Sequence, residues 1–333
     1  MTFKIKTLTP LWTGGSDGKM HRVHETGIIG SIRWWYEVLV RALGGSACDP
    51  SSKEKKCEAD NHCDVCELFG CTGWGRKFRL EIINDINEHK LLNQVSIDTR
   101  KNKKYKRFSS GFTMKDLQVK IVPLRNISDK EWFLLRETLT LIPNYGALGG
   151  RTSQGNGIVE IDLSNFPNKK APLVFRNFDG IKEPSLDKFS FQKFNIEFKE
   201  SITNLINKNL FWISYSHSGN RNWENLDYLP IAFHIRDCLR RSIDNRHVRH
   251  KIFGKRAKGS KLFVSHGYKL EEKKCEVRIW GYDIGNLNIH DQLENKLGKF
   301  LFNDESENGV ICRLISEIPG SKIINKIKEG FEL

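Results

Sequence analysis

A mixed α+β fold, with tandem ferredoxin-like (RRM-like, βαββαβ) domains and a cysteine-rich insertion in the first, is what the sequence predicts. Three observations carry this reading. The apolar residues of the first half change period in the order strand, helix, strand, strand, helix, strand, which is the βαββαβ unit. The second half repeats that order, and 333 residues accommodate two domains of roughly 150 each. Five of the eight cysteines crowd between the first helix and the following strand.

Each element has its own local cause. Phe3, Ile5 and Leu8 nearly alternate with Lys4 and Lys6, a half-buried strand, and a glycine-rich loop follows from Thr13 to Gly18. Ile28, Ile32, Trp35, Leu39 and Leu43 then recur at three and four, a helix that Gly44-Gly45 ends. Its polar line, Arg33, Glu37 and Arg41, is expected to face water. The cysteine-rich insertion occupies about 44–76. Phe78, Leu80 and Ile82 alternate as a strand, and so do Leu117, Val119 and Ile121, with a long hairpin loop (about 84–116) between them. Ser128 and Glu131 have capping-box spacing, opening a helix with Trp132, Leu135, Leu139 and Ile142 that Pro143 is expected to close. A second glycine loop leads into Val159, Ile161 and Leu163.

The second half is less sharply patterned. Leu210 to Tyr215 reads as its first strand, with Phe194, Ile196 and Phe198 as a rival. Ala232, Ile235, Leu239 and Ile243 predict a helix. Leu262–Val264 and Val277–Ile279 predict strands, Leu293, Leu297 and Phe300 a helix, and Val310–Leu314 the last strand. Pro167, Pro172 and Pro184 mark a linker, so the domains are set at 1–165 and 166–333.

The charge is concentrated. Lys and Arg number 54 against 40 Asp and Glu, a formal charge of +14. Arg240 to Lys261 carries nine basic residues against Asp244 alone, and Arg100 to Arg107 carries six and no acid. The remainder is neutral. Charge gathered in this way suits a polyanion, and Tyr105, Phe108, Phe253 and Phe263 lie among or beside the runs. Arg249, Lys255, Arg256 and Lys258 are therefore candidates for phosphate contacts. No uncharged stretch approaches the ~20 apolar residues of a membrane span, and no apolar block resembles a signal peptide, so a cytoplasmic protein with no membrane partner is expected.

Tyr145 to Gly157 is the clearest local signal, with five glycines between a helix and a strand. Its peptide N–H groups can cradle phosphates, and Arg151 can hold one bidentately. The order of elements excludes a dinucleotide fingerprint, and no Gly-Lys-Ser/Thr follows to make a P-loop. A tight structural connection is the alternative. Cys63-x-x-Cys66 has the bite for one edge of a tetrahedral Zn²⁺ site, with Cys48 and Cys57 as remaining ligands and His62 and Cys71 as substitutes. The full spacing matches no standard zinc finger. Reduced structural thiols and disulfides stay open as alternatives.

A helix followed by Gly-x-Leu-Gly-Gly-Arg-x-x-x-Gly-x-Gly and a strand, at 146–157, resembles the signature of the RAMP superfamily of CRISPR systems. Thr9 to Gly15, Gly27 to Tyr36 and Cys66 to Trp74 are similar to the first RAMP subunits of type III-B (Cmr) effector complexes. The resemblance is dense from residue 1 to about 165 and thin beyond. It implies ferredoxin-like domains, guide (CRISPR) RNA and single-stranded target RNA as ligands, and other Cmr subunits as partners. It also implies that the hairpin loop projects as a thumb against the RNA duplex. It implies that the start of the first helix and the glycine loop share one RNA face. Read from the residues, Gly27 and Gly30 leave the helix N-terminus bare, and Arg33 suits a phosphate or a base. Trp34 suits base stacking, with core packing as the alternative, and Arg76 and Lys77 are further candidates. With them come Gly149, Gly150, Arg151, Gly155 and Gly157 of the glycine loop. A helix N-terminus favours phosphate, and a tryptophan can stack on a base.

For catalysis there is little beyond His21 and His24 in the first loop, which suit metal-free RNA cleavage or, equally, phosphate contact or plain solvation. A non-catalytic subunit is the expectation. A RAMP-type metal-independent endoribonuclease that processes CRISPR RNA and a zinc-containing RNA-binding protein of the translation machinery are the alternatives.

Overall fold

The computed structural model describes residues 1–49, 56–83, 90–91, 95–99, 104–108, 111–208, 213–214, 228–255, 258–285, 287–302 and 309–329. In chain order its first half contains β1 (Thr2–Thr7), α1 (Glu25–Ala42), α2 (Asp64–Phe69), β2 (Phe78–Ile82), β3 (Lys90–Leu91), β4 (Val95–Thr99), β5 (Lys104–Phe108), β6 (Phe112–Thr113), β7 (Leu117–Pro123), α3 (Asp129–Tyr145) and β8 (Val159–Asp162). The second half contains β9 (Phe189–Phe198), α4 (Ile202–Asn207), β10 (Ile213–Ser214), β11 (Tyr228–Leu229), α5 (Ala232–Arg241), α6 (Arg246–Phe253), β12 (Leu262–Val264), β13 (Gly267–Glu271), β14 (Lys274–Tyr282), α7 (Ile289–Phe302), β15 (Val310–Pro319) and α8 (Gly320–Glu329).

Four strands make the first sheet in the order β2-β7-β1-β8, every neighbour antiparallel. The strand order and the crossovers by α1 and α3 are those of the ferredoxin-like unit. Phe3 and Ile5 from β1 and Leu117, Val119 and Ile121 from β7 are buried with Ile28, Ile32, Trp35 and Leu39 of α1 and Leu135, Leu139 and Ile142 of α3. Ser128 caps α3 through the Glu131 amide, and Glu131 answers to the Ser128 amide at 2.8 Å, the reciprocal box read from the sequence.

The second sheet runs β11-β13-β14-β9-β15, with β12 also on β14. Within it β13-β14-β9-β15 repeats the sequence-order pattern of β2-β7-β1-β8. Trp34 and Trp35 of α1 pack on Phe189, with ring centroids 6.1 and 5.9 Å away. Helix α1 of the first half therefore meets the second sheet through apolar contact.

Four expectations are corrected here. The first strand of the second half is the rival segment, extended to ten residues as β9; of Leu210 to Tyr215 only Ile213 and Ser214 lie within the described residues, as β10. Phe194, Ile196 and Phe198 alternate into a buried face, which favoured them. Pro143 does not end α3, which continues to Tyr145. A proline in the last turn costs a single backbone bond, and Arg278 Nη1 takes up the Pro143 carbonyl. The connection at 84–116 contains strands: β3 pairs with β6, and the β4–β5 hairpin is joined by β10 from the second half. Finally, the Arg33–Glu37–Arg41 line of α1 is covered, Glu37 being 8% and Arg41 7% exposed.

Candidate functional site

The segment Pro10–Thr13 draws the glycine loop and the start of α1 to one end of the first sheet. Gly150 N–H donates to the Trp12 carbonyl at 2.7 Å, and Gly157 N–H donates to the Pro10 carbonyl at 2.9 Å. On the other side the Thr13 hydroxyl accepts from His24 N–H at 2.8 Å, at the N-cap of α1. The His24 side chain makes no capping bond there, and Gly27 N–H turns back onto the His24 carbonyl at 3.1 Å. Gly27 packs on Thr13, whereas Gly30 is exposed with open space where a Cβ would stand. Arg151, with φ of 57°, lies over the Trp12 ring at 4.3 Å. It is half-buried, and that burial pulls its guanidinium pKa down. Trp12 Nε1 and His24 Nε2 are buried nitrogens with no hydrogen-bond partner among the described residues.

The glycines of the loop have neighbours inside the protein. A Cβ at Gly149 would stand 2.6 Å from the Trp12 carbonyl oxygen, and one at Gly150 2.8 Å from the Trp12 ring. A Cβ at Gly157 would stand 2.1 Å from the Leu148 carbonyl oxygen. At Gly155 it would meet His266 Nδ1 at 2.6 Å and Ala232 Cβ at 2.7 Å, both in the second half. The structure thus gives these glycines an architectural reason that the spacing alone did not reveal.

Other residues expected on this face are placed elsewhere. Arg33 donates to Glu37 Oε1 at 3.0 Å, to the Gly70 carbonyl at 3.0 Å and to Cys66 Sγ at 3.2 Å. Trp34 meets Trp35 edge-on at 4.9 Å and packs on Phe189. Lys77, only 13% exposed at its side chain, bridges Glu67 (2.6 Å) and Glu131 (2.9 Å). Arg76 is half-buried behind Gly70, where its backbone N lies 2.8 Å from the position of a Gly70 Cβ. His21 pairs with Asp17 in solvent at 3.1 Å.

On α6 and its flanks the basic residues are largely open. Arg246, Lys251, Lys255 and Lys258 are exposed, and Arg249 is half-buried with Nη1 on the Ile243 carbonyl. Arg256, and the Arg100–Lys103 part of the other run, lie outside the described residues. His250 is held below the ordinary histidine range by desolvation and then by Arg246, Arg240, Lys255 and Arg249, which marks the field of this surface.

The Sγ atoms of Cys48, Cys57, Cys63 and Cys66 all lie within 4.8 Å of one another, and all four residues are buried. All four are free cysteines, so disulfides are absent from the cluster. Cys48 and Cys66 sulfurs are 3.4 Å apart. A tetrahedral Zn²⁺ with bonds near 2.3 Å places sulfurs about 3.8 Å apart, inside this range. The donors around the cluster aim at sulfur: Cys63 N–H to Cys57 Sγ at 3.2 Å, Cys66 N–H to Cys63 Sγ at 3.5 Å, and Arg33 Nη2 to Cys66 Sγ. The Cys63 thiol is driven down by hydrogen bonds from Cys48 and Cys66, while burial pushes the Cys57 thiol up to about 12. The cluster is able to hold a metal ion. His62 and Cys71 stand outside it: His62 is bound by Glu67 at 2.6 Å, and Cys71 is half-buried.

Residues 4–160 match the family model described as the RAMP superfamily. No curated protein matches the chain. Among solved structures, Cmr1 from Pyrococcus furiosus in its apo form is 15% identical, covering 84% of this chain and 87% of that one, with a TM-score of 0.41. A chain of the type III-B Cmr-beta complex bound to cognate target RNA and AMPPnP is 13% identical, covering 99% of each, with a TM-score of 0.42. A chain of a type IV-B CRISPR complex is 13% identical, covering 52% of this chain and 94% of that one, with a TM-score of 0.34.

Proposed function

We propose that this chain, whose residues 4–160 match the RAMP superfamily model, is a non-catalytic RNA-binding subunit of a type III-B CRISPR effector complex. It would hold guide RNA and its paired target for antiviral silencing, and other Cmr subunits would be its partners. The observation that carries the reading is the meeting of Arg151, Trp12 and the N-terminus of α1 at one end of the sheet. A helix N-terminus and a cation suit a phosphate, and a tryptophan suits a base. Gly27, Gly30 and Arg151 would line this face. Lys255, Lys258 and Arg249 supply a second basic surface. Base pairing would carry the sequence specificity while the protein reads backbone and shape, as in RNA-guided DNA effectors. The shared strand order of the two sheets supports tandem ferredoxin-like domains, and the four cysteines support a structural Zn²⁺; no catalytic metal is proposed. No described helix is long and apolar enough to cross a membrane.

Titration with single-stranded RNA tests this. Log affinity is expected to fall with log salt at about −0.7 per phosphate neutralised. Arg151→Ala is expected to lower affinity ten- to a hundredfold, about 1.5–3 kcal/mol for a charge-assisted contact, and Arg151→Lys to recover part of it. A flat salt response, or unchanged affinity in folded Arg151→Ala, overturns the assignment of this face. Repeat RNA incubated with the protein in EDTA is expected to stay intact; cleavage would establish the endoribonuclease instead.

A further inference from the structure

The segment 174–184, which leads into the second sheet, is fastened on both sides of the four-cysteine cluster. On one side Ala47, the neighbour of Cys48, exchanges backbone bonds with Ile181: Ile181 N–H donates to the Ala47 carbonyl at 2.8 Å. On the other side Asp64 Oδ2 of α2, the helix that carries Cys66, accepts Arg176 N–H at 2.9 Å, and Glu67 holds the Arg176 guanidinium at 2.8 Å. Lys130 joins this side, bridging Asp64 and the Val174 carbonyl (2.8 Å).

A third line runs along α1. Arg33 touches Cys66 Sγ and, at 3.8 Å, Cys48 Sγ; Arg33 and Arg41 share the Glu37 carboxylate; and Arg41 donates to the Ile181 carbonyl at 3.2 Å and the Pro184 carbonyl at 3.1 Å. Sulfur, guanidinium, carboxylate, guanidinium and connector backbone thus form one continuous chain. The spacing of four places all three side chains on the same face of α1.

We infer that a Zn²⁺ held by Cys48, Cys57, Cys63 and Cys66, with Arg33 as counter-charge to its thiolates, is the clasp that fixes the connector 174–184 against α1. The inference rests on the structural-zinc reading above. Four thiolates around Zn²⁺ carry a net charge of −2, and the half-buried Arg33 cation against them makes that charge tolerable. Without the metal the insertion lacks the bond that joins Cys48 to Cys66, and both anchors of the connector lose their common fixed point.

The full-length protein carries the test. Metal analysis is expected to find one Zn²⁺ per chain, and Co²⁺ exchanged into the site is expected to give the visible absorption of a tetrahedral tetrathiolate. Hydrogen exchange after chelation is expected to rise at least tenfold in the amides of 174–184, while β9 and β14 stay protected. Arg33→Gln is expected to weaken Zn²⁺ retention 10- to 100-fold against a chelator, with Arg33→Lys in between. A protein that carries no Zn²⁺ and takes up no Co²⁺ overturns the zinc reading and this inference together. Stoichiometric Zn²⁺ with unchanged connector exchange after its removal overturns the clasp alone. Equal retention in Arg33→Gln removes Arg33 from the metal centre.

Discussion

The glycine loop between α3 and β8 and the cysteine-rich segment between α1 and β2 are both irregular, and they hold their shapes by different means. The loop is held by contact: its glycines sit where backbone or ring atoms of Leu148, Trp12 and His266 leave no room for a Cβ. The cysteine segment is held by charge and sulfur: four clustered thiols, with Asp64, Glu67, Lys77, Lys130 and Arg176 paired around them. A contact-held loop tolerates salt and chelators but no added atom. A charge-held segment tolerates modest changes of size but not loss of a ligand or a countercharge. Side-chain packing is felt at the level of a single methyl group, whereas a metal site concentrates its free energy in a few bonds.

The largest effect expected in the contact-held region comes from acid. His266 is buried against Gly155, and its Nδ1 accepts the Ala232 N–H at 3.4 Å. Burial, followed by the nearby His234, pulls its pKa down to about 3. A histidine depressed in the folded state takes its proton more readily when unfolded. The stability it permits is therefore complete above the unfolded value near 6.5 and is lost as pH falls from there toward about 3. The slope is about 1.4 kcal/mol per pH unit for the single proton. Chemical denaturation from pH 7 to 4 is expected to show this loss in the native protein and a much smaller one in His266→Gln. Parallel pH profiles for the two would remove His266 as the cause.

A smaller effect belongs to Gly157. Alanine there is strained by φ of 90° and by an oxygen 2.1 Å away, and relieving the clash must separate Leu148 from the loop. Destabilisation of about 3 kcal/mol is expected, more than the strain of positive φ alone. Thermal melting without added RNA measures it. A variant that melts within a degree or two of the native protein would mean that the loop yields easily, and the contrast between the two regions would fail.

How far the sequence discloses all this depends on the distance between partners. The α3 capping box, the alternation of Phe3 and Ile5, and the α1 stripe are local, and the fold preserves them. The grouping of Cys48, Cys57, Cys63 and Cys66 was also legible, because short loops between buried thiols leave few arrangements. The Arg33–Glu37–Arg41 line misled because a polar stripe opposite an apolar one ordinarily faces water. Here the insertion and the connector cover it, with Ile181 lying 140 residues from Arg41. Gly155 and His266 are similarly remote. Helix α6 escaped notice because its sequence, Arg246 to Phe253, is mostly basic and buries only Ile252 and Phe253. The roles of Arg33 and Lys77 were hidden for the same reason: a cation's nearest acid, not its motif, decides where it points.

The smallest effect is the most discriminating, because it separates RNA contact from architecture at one atom. Gly30 lies in the second turn of α1, exposed, with nothing within 4 Å of where a Cβ would stand. In the free protein nothing recommends glycine there: an exposed helical glycine costs about 1 kcal/mol relative to alanine through backbone entropy. Gly30→Ala is therefore expected to raise stability by about 1 kcal/mol, visible as a higher melting temperature. If the helix start approaches an RNA backbone, the added methyl group stands between the two, and RNA affinity is expected to fall while stability rises. No architectural role moves the two measurements in opposite directions. At Gly157, by contrast, stability and affinity should fall together, since the loop itself is disturbed. A stabilised Gly30→Ala protein with native affinity would detach the first turns of α1 from the RNA face and leave Arg151 and Trp12 to define it.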